Sequence, residues 1–403
     1  EHYNKTLELN PKYYQSYNHL SSIYYDQNLY FEAVNYVKKA IEFNPEYVEG
    51  LNNYGVMLRD LGFIEKSEIL LKKAVNLNPN YHTAIWNLAI TKLSQENYKE
   101  GWLGFNSRWL NPNLNQNQNI FCNKPIWNGS EIGNLLIWSE QGIGDQIMFS
   151  RFFKFLTNYK GEVFAILNPK LEIILKESFP HINFVDKLEQ DKFDFHLPIA
   201  SFGEFFINNK EDLFKNSSSY LVSKKCGIKN KIKISTKKNF LIGISWKSVN
   251  DQFGDDKSIK LSELKDILNI PNVTFINLQY GDVNDEIKRI NKEIKNEIKI
   301  IKDIDMLNDI QRMGSVINEL DLVVTISNST AHLSGAIGKD TILMLSKGKG
   351  NLWYWIKGDD KKAKWYSSIE IIQQDKINLW NNVLIETKNL IEKKIKQKNI
   401  KHT

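Results

Sequence analysis

Three prolines, Pro11, Pro45 and Pro79, stand 34 residues apart, each behind an asparagine, and the sequence around them repeats in step. The phrases LELNPKYYQSYNHL, IEFNPEYVEGLNNYG and VNLNPNYHTAIWNLA align. With them recur Leu20, Tyr54 and Leu88, the small residues Ser21, Gly55 and Ala89, and the pair Ala40 and Ala74. A period of this length belongs to a helical hairpin that cannot bury its apolar face alone and stacks on its neighbours. Small residues let paired helices approach, and Asn-Pro ends one helix and opens the connection to the next. The opening HYNKTLELNP has the pattern of the second helix of such a hairpin, so the array is expected to begin upstream of Glu1.

This spacing is that of the tetratricopeptide repeat, and residues 1–110 are assigned to about three such units. Near their end the pattern changes to NYKEGWLGFNSRWL, where Trp102, Phe105 and Trp109 recur at helical spacing and are expected to form a capping face toward the next domain. Residues 111–130 lose periodicity and fill with Asn, Gln, Pro and Gly, which marks a linker.

Beyond it the rhythm alternates between strand and helix. LLIWSE, EVFAILN, INFVD and FDFHLPI form one series, and FLIGISW, VTFINLQ, IKIIKDI, LVVTISN and TILMLS a second, with helical stretches between. Two parallel-sheet α/β domains are expected, 131–228 and 238–386, separated by the Lys-rich stretch CGIKNKIKISTKKN and facing across a cleft. A basic helix or tail, 387–403, follows. The fold class is therefore α followed by α/β.

Composition narrows the function classes. A net charge of +6 on 403 residues is too small and too spread to indicate nucleic acid. The densest basic run is Lys388, Lys393, Lys394, Lys396, Lys398 and Lys401 around Glu392, read as a solvated helix end, with peripheral contact to an anionic membrane as the alternative. Cys122 and Cys226 are isolated, which argues against a disulfide framework and fits a cytoplasmic chain. No apolar run approaches the roughly 20 residues that cross a bilayer.

Open parallel sheets bind ligands beyond the carboxyl ends of their strands, so the loops after the strands hold the candidate chemistry. The first is QGIGD. Gly142 and Gly144 permit a tight turn and close approach of a substrate, and Asp145 opens a helix either as its N-cap or as a general base toward an acceptor hydroxyl. The second, KSVNDQFGDDKSIKLSEL, carries Lys247 and Lys257, cations suited to phosphate or simply solvated. The third, TISNSTAHLSGAIG, runs from a strand into a helix through Asn328, Ser329 and Thr330, a cradle for pyrophosphate, with His332 one turn in. Taken alone, His332 reads as packed or capping. Asp303 and Asp305 read as a turn or cap before a helix, so no metal is expected.

In order and spacing, LLIWSEQGIGDQIMFSRF, GISWKSVNDQFGDDKSIKL, INLQYG and DLVVTISNSTAHLSGAIGKDTILML resemble bacterial glycosyltransferase family 9, the heptosyltransferase-like group. GWLGFNSRW and KWYSSIEIIQQ are similar to its repeat-bearing members. The resemblance implies a GT-B pair of Rossmann-like domains, acceptor on the first and nucleotide-sugar on the second, and an inverting displacement without metal or cofactor. It implies Asp145 as the catalytic acid-base residue, Gly142 and Gly144 in the acceptor-side loop, and Lys257, Ser258, Gln279, Asn328, Ser329, Thr330 and His332 as donor-binding. Many relatives have Asp-Thr where this chain has Ser327 and Asn328, and its first α/β domain is short. The expected activity is transfer of a sugar to a hydroxyl of a glycan, lipid-linked or protein acceptor, with the repeats recruiting acceptor or partner. The alternative is a repeat scaffold whose transferase module has lost turnover.

Overall fold

A computed structural model describes residues 2–110, 123–215, 217–227, 240–250 and 253–401. Residues 111–122 of the expected linker, Cys122 among them, the Lys-rich break from 228 to 239 and the last two residues lie outside the described residues. The chain forms two compact units, Glu1–Ile120 with Ile207–Lys210, and Phe121–Phe206 with Glu211–Thr403.

The first unit is an array of helices: α1 (His2–Leu9), α2 (Tyr14–Asp26), α3 (Tyr30–Phe43), α4 (Val48–Asp60), α5 (Ile64–Leu77), α6 (His82–Ser94) and α7 (Tyr98–Phe105). The 34-residue period is written into the turns. Asn10, Asn44 and Asn78 each fold a side-chain oxygen back onto the N–H two residues on, at 3.2, 3.2 and 3.1 Å. Asparagine competes with the helix for that donor while proline removes another, so each repeat stops at the same place. The turns inside the hairpins recur too: Asn28, Gly62 and Glu96 all adopt a left-handed backbone, at φ 62°, 88° and 63°.

Between these turns the small residues of the pattern are buried, Ser21, Ala40 and Ala74 completely and Ala89 nearly so. Neighbouring hairpins are also joined by asparagines, the buried Asn87 donating to Asn52 at 2.9 Å and the half-buried Asn53 to Asn18 at 3.0 Å. At the far end Trp102 and Phe105 are buried and meet edge to face at 5.0 Å. The Arg108 guanidinium lies 4.3 Å from the Phe105 ring and 4.5 Å from Trp109, covering the aromatic stripe with a cation.

The second unit holds two sheets. The first has the order β3-β2-β1-β4, all parallel: β1 (Leu135–Trp138), β2 (Val163–Ile166), β3 (Asn183–Phe184) and β4 (Phe195–Pro198). The second has the order β10-β11-β9-β8-β5-β6-β7. Its strands are β5 (Phe240–Ile244), β6 (Val273–Asn277), β7 (Ile298–Lys299), β8 (Leu322–Ile326), β9 (Thr341–Leu345), β10 (Lys362–Ala363) and β11 (Tyr366–Gln373). All are parallel except the β10–β11 pair. Strands β5, β8 and β9 are buried along their whole length, which is why they read as unbroken apolar runs.

Three features go beyond or depart from expectation. The stretch IKIIKDI supplies only the two-residue β7, and KWYSSIEIIQQ supplies β11, which extends the sheet parallel to β9. The C-terminal helix starts at Asn381 and runs to Lys401, and its Val383 and Ile391 are fully buried in the sheet's core. Part of its positive charge docks it: Lys394 pairs with Asp340 at 3.0 Å and Glu370 at 3.7 Å, and Lys398 with Asp321 at 2.6 Å.

Candidate functional site

Each sheet has one place where the chain reverses its direction of travel across the strands, between β1 and β4 in the first and between β5 and β8 in the second. At such a point the loops diverge and open a crevice beyond the carboxyl ends. The loops after β1, β5 and β8 line one cavity of about 290 Å³, walled also by Tyr280, Met306, Leu352 and Tyr354.

The loop after β1 enters α8 (Ile143–Ser150). The left-handed residue of this turn is Gln141, at φ 60°, and not a glycine. Gly142 is extended and is the N-cap, which corrects the assignment of that role to Asp145. Asp145 is the third helical residue, and its carboxylate reaches back to accept the Gly142 N–H at 3.1 Å. Gly144 is a matter of space: a Cβ there would lie 2.7 Å from His332 Cδ2. Burial pushes the Asp145 carboxyl up to about 6, against the opposing effects of the Gly142 N–H and the Lys257 charge, with Glu140 adding to the rise.

Lys257 ends a short helix, Gly254–Lys257, and is 5% exposed. Burial lowers its pKa while the Asp145 and Asp256 carboxylates raise it, and it makes no ion pair among the described residues. Its stem is held by the close approach of Gly350, where a Cβ would sit 3.0 Å from Lys257 Cγ. Lys247, the other candidate in this loop, is occupied by an ion pair with Glu286 at 2.6 Å.

After β8 the chain enters α9 (Ser329–Ile337). Asn328 is its N-cap, accepting from Ala331 N at 3.3 Å, and its amide donates to Ser245 Oγ at 2.8 Å and Lys247 O at 3.3 Å. A carboxylate could not donate to that carbonyl, so the amide here ties the end of β8 to the end of β5. Ser327 accepts the Trp355 indole N–H at 2.8 Å. Ser329 lines the cavity together with Tyr280. His332 is 2% exposed, its Nδ1 lies 2.9 Å from Tyr366 Oη, and burial, with Lys257 and Arg151 nearby, holds its pKa down at about 3.

The structure thus brings Gly142, Gly144, Asp145, Lys257, Asn328, Ser329 and His332 to one cavity. Three other candidates do not line it. Gln279 is 2% exposed and its carbonyl oxygen accepts from Ser245 Oγ, Trp246 N and Lys247 N at 3.1, 2.9 and 2.7 Å, so it braces the loop after β5 from below. Ser258 ties the same loop, donating to Gly254 O at 2.7 Å and accepting from Ser248 N at 3.0 Å. Thr330 is fully buried in the helix. Asp305 accepts the N–H groups of Leu307 and Asn308, at 2.9 and 3.2 Å, and so forms a turn.

Residues 15–44 match a tetratricopeptide repeat family model. Over 313 residues the chain is 24% identical to Protein FlbA of Caulobacter vibrioides (strain ATCC 19089 / CIP 103742 / CB 15), covering 70% of this chain and spanning half the length of that protein. Among solved structures, MamA aligns with 26% of this chain and 61% of its own at 20% identity and a TM-score of 0.24. The glycosyl transferase family 9 protein from Veillonella parvula DSM 2008 aligns with 64% of this chain and 93% of its own, at 12% identity and a TM-score of 0.44. The chain therefore carries a tetratricopeptide match inside its helical array, followed by an α/β region built on parallel sheets.

The tetratricopeptide spacing was legible, but Tyr280, Tyr354, Trp355 and Tyr366 were not singled out. The signal for the last three is the aromatic density of NLWYW and KWY, which in a sequence reads first as core, while Tyr280 stands alone in LQYGD. No helix among the described residues is long and apolar enough to cross a membrane.

Proposed function

We propose that this chain is a glycosyltransferase that moves a sugar from a nucleotide-sugar to an acceptor hydroxyl with inversion. The observation that carries the reading is the presence of opposite charges on one cavity at the switch points: Asp145, with its pKa raised to about 6, and the buried Lys257, together with the start of α9. A carboxylate tuned toward neutrality is suited to general-base work, and a buried cation beside a helix N-terminus is suited to a leaving diphosphate. In this mechanism Asp145 takes the proton of the acceptor hydroxyl, whose oxygen attacks the anomeric carbon. The bond from that carbon to the diphosphate oxygen breaks, and the nucleoside diphosphate leaves with the electron pair, its charge offset by Lys257 and the N–H groups of α9. No metal or cofactor is required by these steps.

A second cavity of about 520 Å³ shares Tyr280, Met306 and Leu307 with the first, so a ligand longer than the first cavity has room to continue. The repeats are proposed to recruit the acceptor or a partner protein, in a cytoplasmic setting. Ser327 in the position of the family's usual carboxylate favours the rival reading, a scaffold without turnover. A panel of nucleotide-sugars separates them, read by thermal stabilisation and by donor hydrolysis or transfer. Stabilisation with turnover is expected; stabilisation by a donor with neither hydrolysis nor transfer to any acceptor would favour the scaffold.

A further inference from the structure

Tyr354 stands on the cavity wall with a hydroxyl that the protein itself does not use. The residue is 5% exposed, and its ring packs edge to face on His332, Trp353 and Trp355, with centroids 5.1, 5.5 and 5.4 Å apart. Three aromatic neighbours fix its pose. His332 in turn lies against Gly144, where a Cβ would come within 2.7 Å of its Cδ2, so Tyr354 is one ring away from the turn that carries Asp145. Tyr354 and Asp145 line the same cavity.

No group of the described residues hydrogen-bonds the Tyr354 hydroxyl. It is not sealed in the interior, as the indole N–H groups of Trp246 and Trp365 are, but reaches open space, and the space beside it is the cavity. Folded proteins bond nearly all the polar groups they bury, so a rigid, idle hydroxyl on a cavity wall is a contact kept for what enters. The direction of that contact follows from its surroundings. Burial first, and the Asp145 carboxylate second, hold the phenol pKa well above its ordinary value, so the group keeps its proton and can donate. A phosphate oxygen accepting that proton would bring another anion to the Asp145 side of the cavity. A ligand hydroxyl can accept from the phenol and donate to the carboxylate at once.

We infer that Tyr354 is a ligand-binding residue whose hydroxyl holds an uncharged hydroxyl, on the sugar being transferred or on its acceptor, and takes no part in holding the diphosphate. The anion is left to Lys257 and the start of α9. The two sources named for that hydroxyl rest on the transferase reading.

The test compares Tyr354→Phe with wild type, using nucleotide-hexoses of the uridine, adenosine and guanosine series, each beside its own nucleoside diphosphate. Calorimetry reads affinity, and donor hydrolysis reads turnover with water in the acceptor's place. Removing a hydroxyl that bonds nothing in the protein should leave the melting temperature level or raised, and diphosphate binding within about twofold of wild type. If the phenol holds the transferred sugar, the nucleotide-hexose should bind about tenfold more weakly. If it holds the acceptor hydroxyl, that affinity should stand while hydrolysis at saturating donor slows about tenfold. Equal weakening of diphosphate and nucleotide-hexose would put the phenol on the diphosphate and overturn the inference, as would a variant unchanged in both affinity and hydrolysis. A variant that fails to fold would overturn it too, because the hydroxyl would then have a partner within the protein. Wild type that binds no nucleotide-hexose would sink the transferase reading and this inference with it, whereas a variant that matches an active wild type sinks the inference alone.

Discussion

The repeat unit and the α/β unit use their residues in opposite ways. In the repeats a role is copied every 34 residues: the asparagine turn at Asn10, Asn44 and Asn78, and the left-handed turn at Asn28, Gly62 and Glu96. In the cleft nothing is copied. A non-glycine residue sits left-handed at Gln141, and an acid, a buried lysine and a buried histidine line one small cavity. Copied features serve the packing of one hairpin on the next, whereas the cleft gathers groups whose burial costs stability. Strain and buried charge gathered in one crevice are the physical mark of a site.

The contrast breaks most sharply at Asp145. Asn at this position keeps an oxygen for the Gly142 N–H but cannot take a proton, so Asp145→Asn should reduce transfer about a hundredfold or more while donor affinity holds. It should also stabilise. Burial raises the folded pKa from 3.8 to about 6, so the folded chain binds this proton more tightly than the unfolded chain. That contribution is complete below the unfolded value and is lost as pH rises from about 4 to about 6. The variant escapes the loss, and its advantage over wild type should grow through that window to a ceiling of about 3 kcal/mol and then stay level. Paired denaturant titrations at pH 4 and 7.5 measure it. In wild type kcat/KM should fall on the acid side of about pH 6, as the base becomes protonated. A variant that transfers sugar at the wild-type rate would show that the cleft carries its cost for some other purpose.

Gly144 gives the next effect. Its replacement by Ala puts a methyl group 2.7 Å from His332 Cδ2, in a ring already held by Trp355, Tyr354 and Tyr366. Overpacking of this kind costs about 1–3 kcal/mol, and here it should appear both as lowered stability and as weakened donor binding. Calorimetric binding on a variant shown to be folded is the check; full affinity would mean that His332 yields freely.

Lys257→Ala follows, with donor binding weakened about tenfold, because a buried cation at an anion site is a charge that water screens poorly, and with a shallower salt dependence, because one fewer cation attracts the donor. Lys247 supplies the control. It is half exposed and paired with Glu286, so its replacement should change binding less than twofold. Equal effects of the two lysines, compared at low and moderate ionic strength, would dissolve the distinction between a cleft cation and a loop cation.

The period of the repeats was readable because each copy confirms the others, and the strands because β5, β8 and β9 are apolar throughout. The loops after them were readable as loops. What a single sequence does not disclose is the division of labour within them. Gln279 and Ser258 have the same polarity as cavity residues, yet their hydrogen bonds are spent holding the loop that carries Lys257. Conversely Tyr366 belongs to a strand far along the chain, and its hydroxyl reaches His332 only because β11 pairs beside β9. Distance along the chain hides such partners, and an aromatic residue gives no sign of what its hydroxyl will meet.

The smallest effect lies in the repeats, where the copying is imperfect. The left-handed turn is Asn28 in one hairpin and Gly62 in the next, residue types that adopt this backbone readily, but Glu96 in the third. A side chain with a Cβ pays about 1 kcal/mol there relative to glycine, and Glu96 is not within the turn's hydrogen-bonded backbone alone: its N–H donates to Leu93 O at 3.1 Å, a bond glycine would keep. Glu96→Gly should therefore stabilise the array by up to about 1 kcal/mol, offset in part by the greater freedom of glycine in the unfolded chain. Gly62→Ala, the mirror change in the preceding hairpin, should destabilise by a similar amount, since nothing lies within 4 Å of the added Cβ and only the backbone angle opposes it. Thermal unfolding of the two variants is the measurement. Opposite shifts of similar size would show that the repeats obey one local rule at each copy, and a destabilised Glu96→Gly would show that the glutamate side chain holds the third turn by contacts of its own.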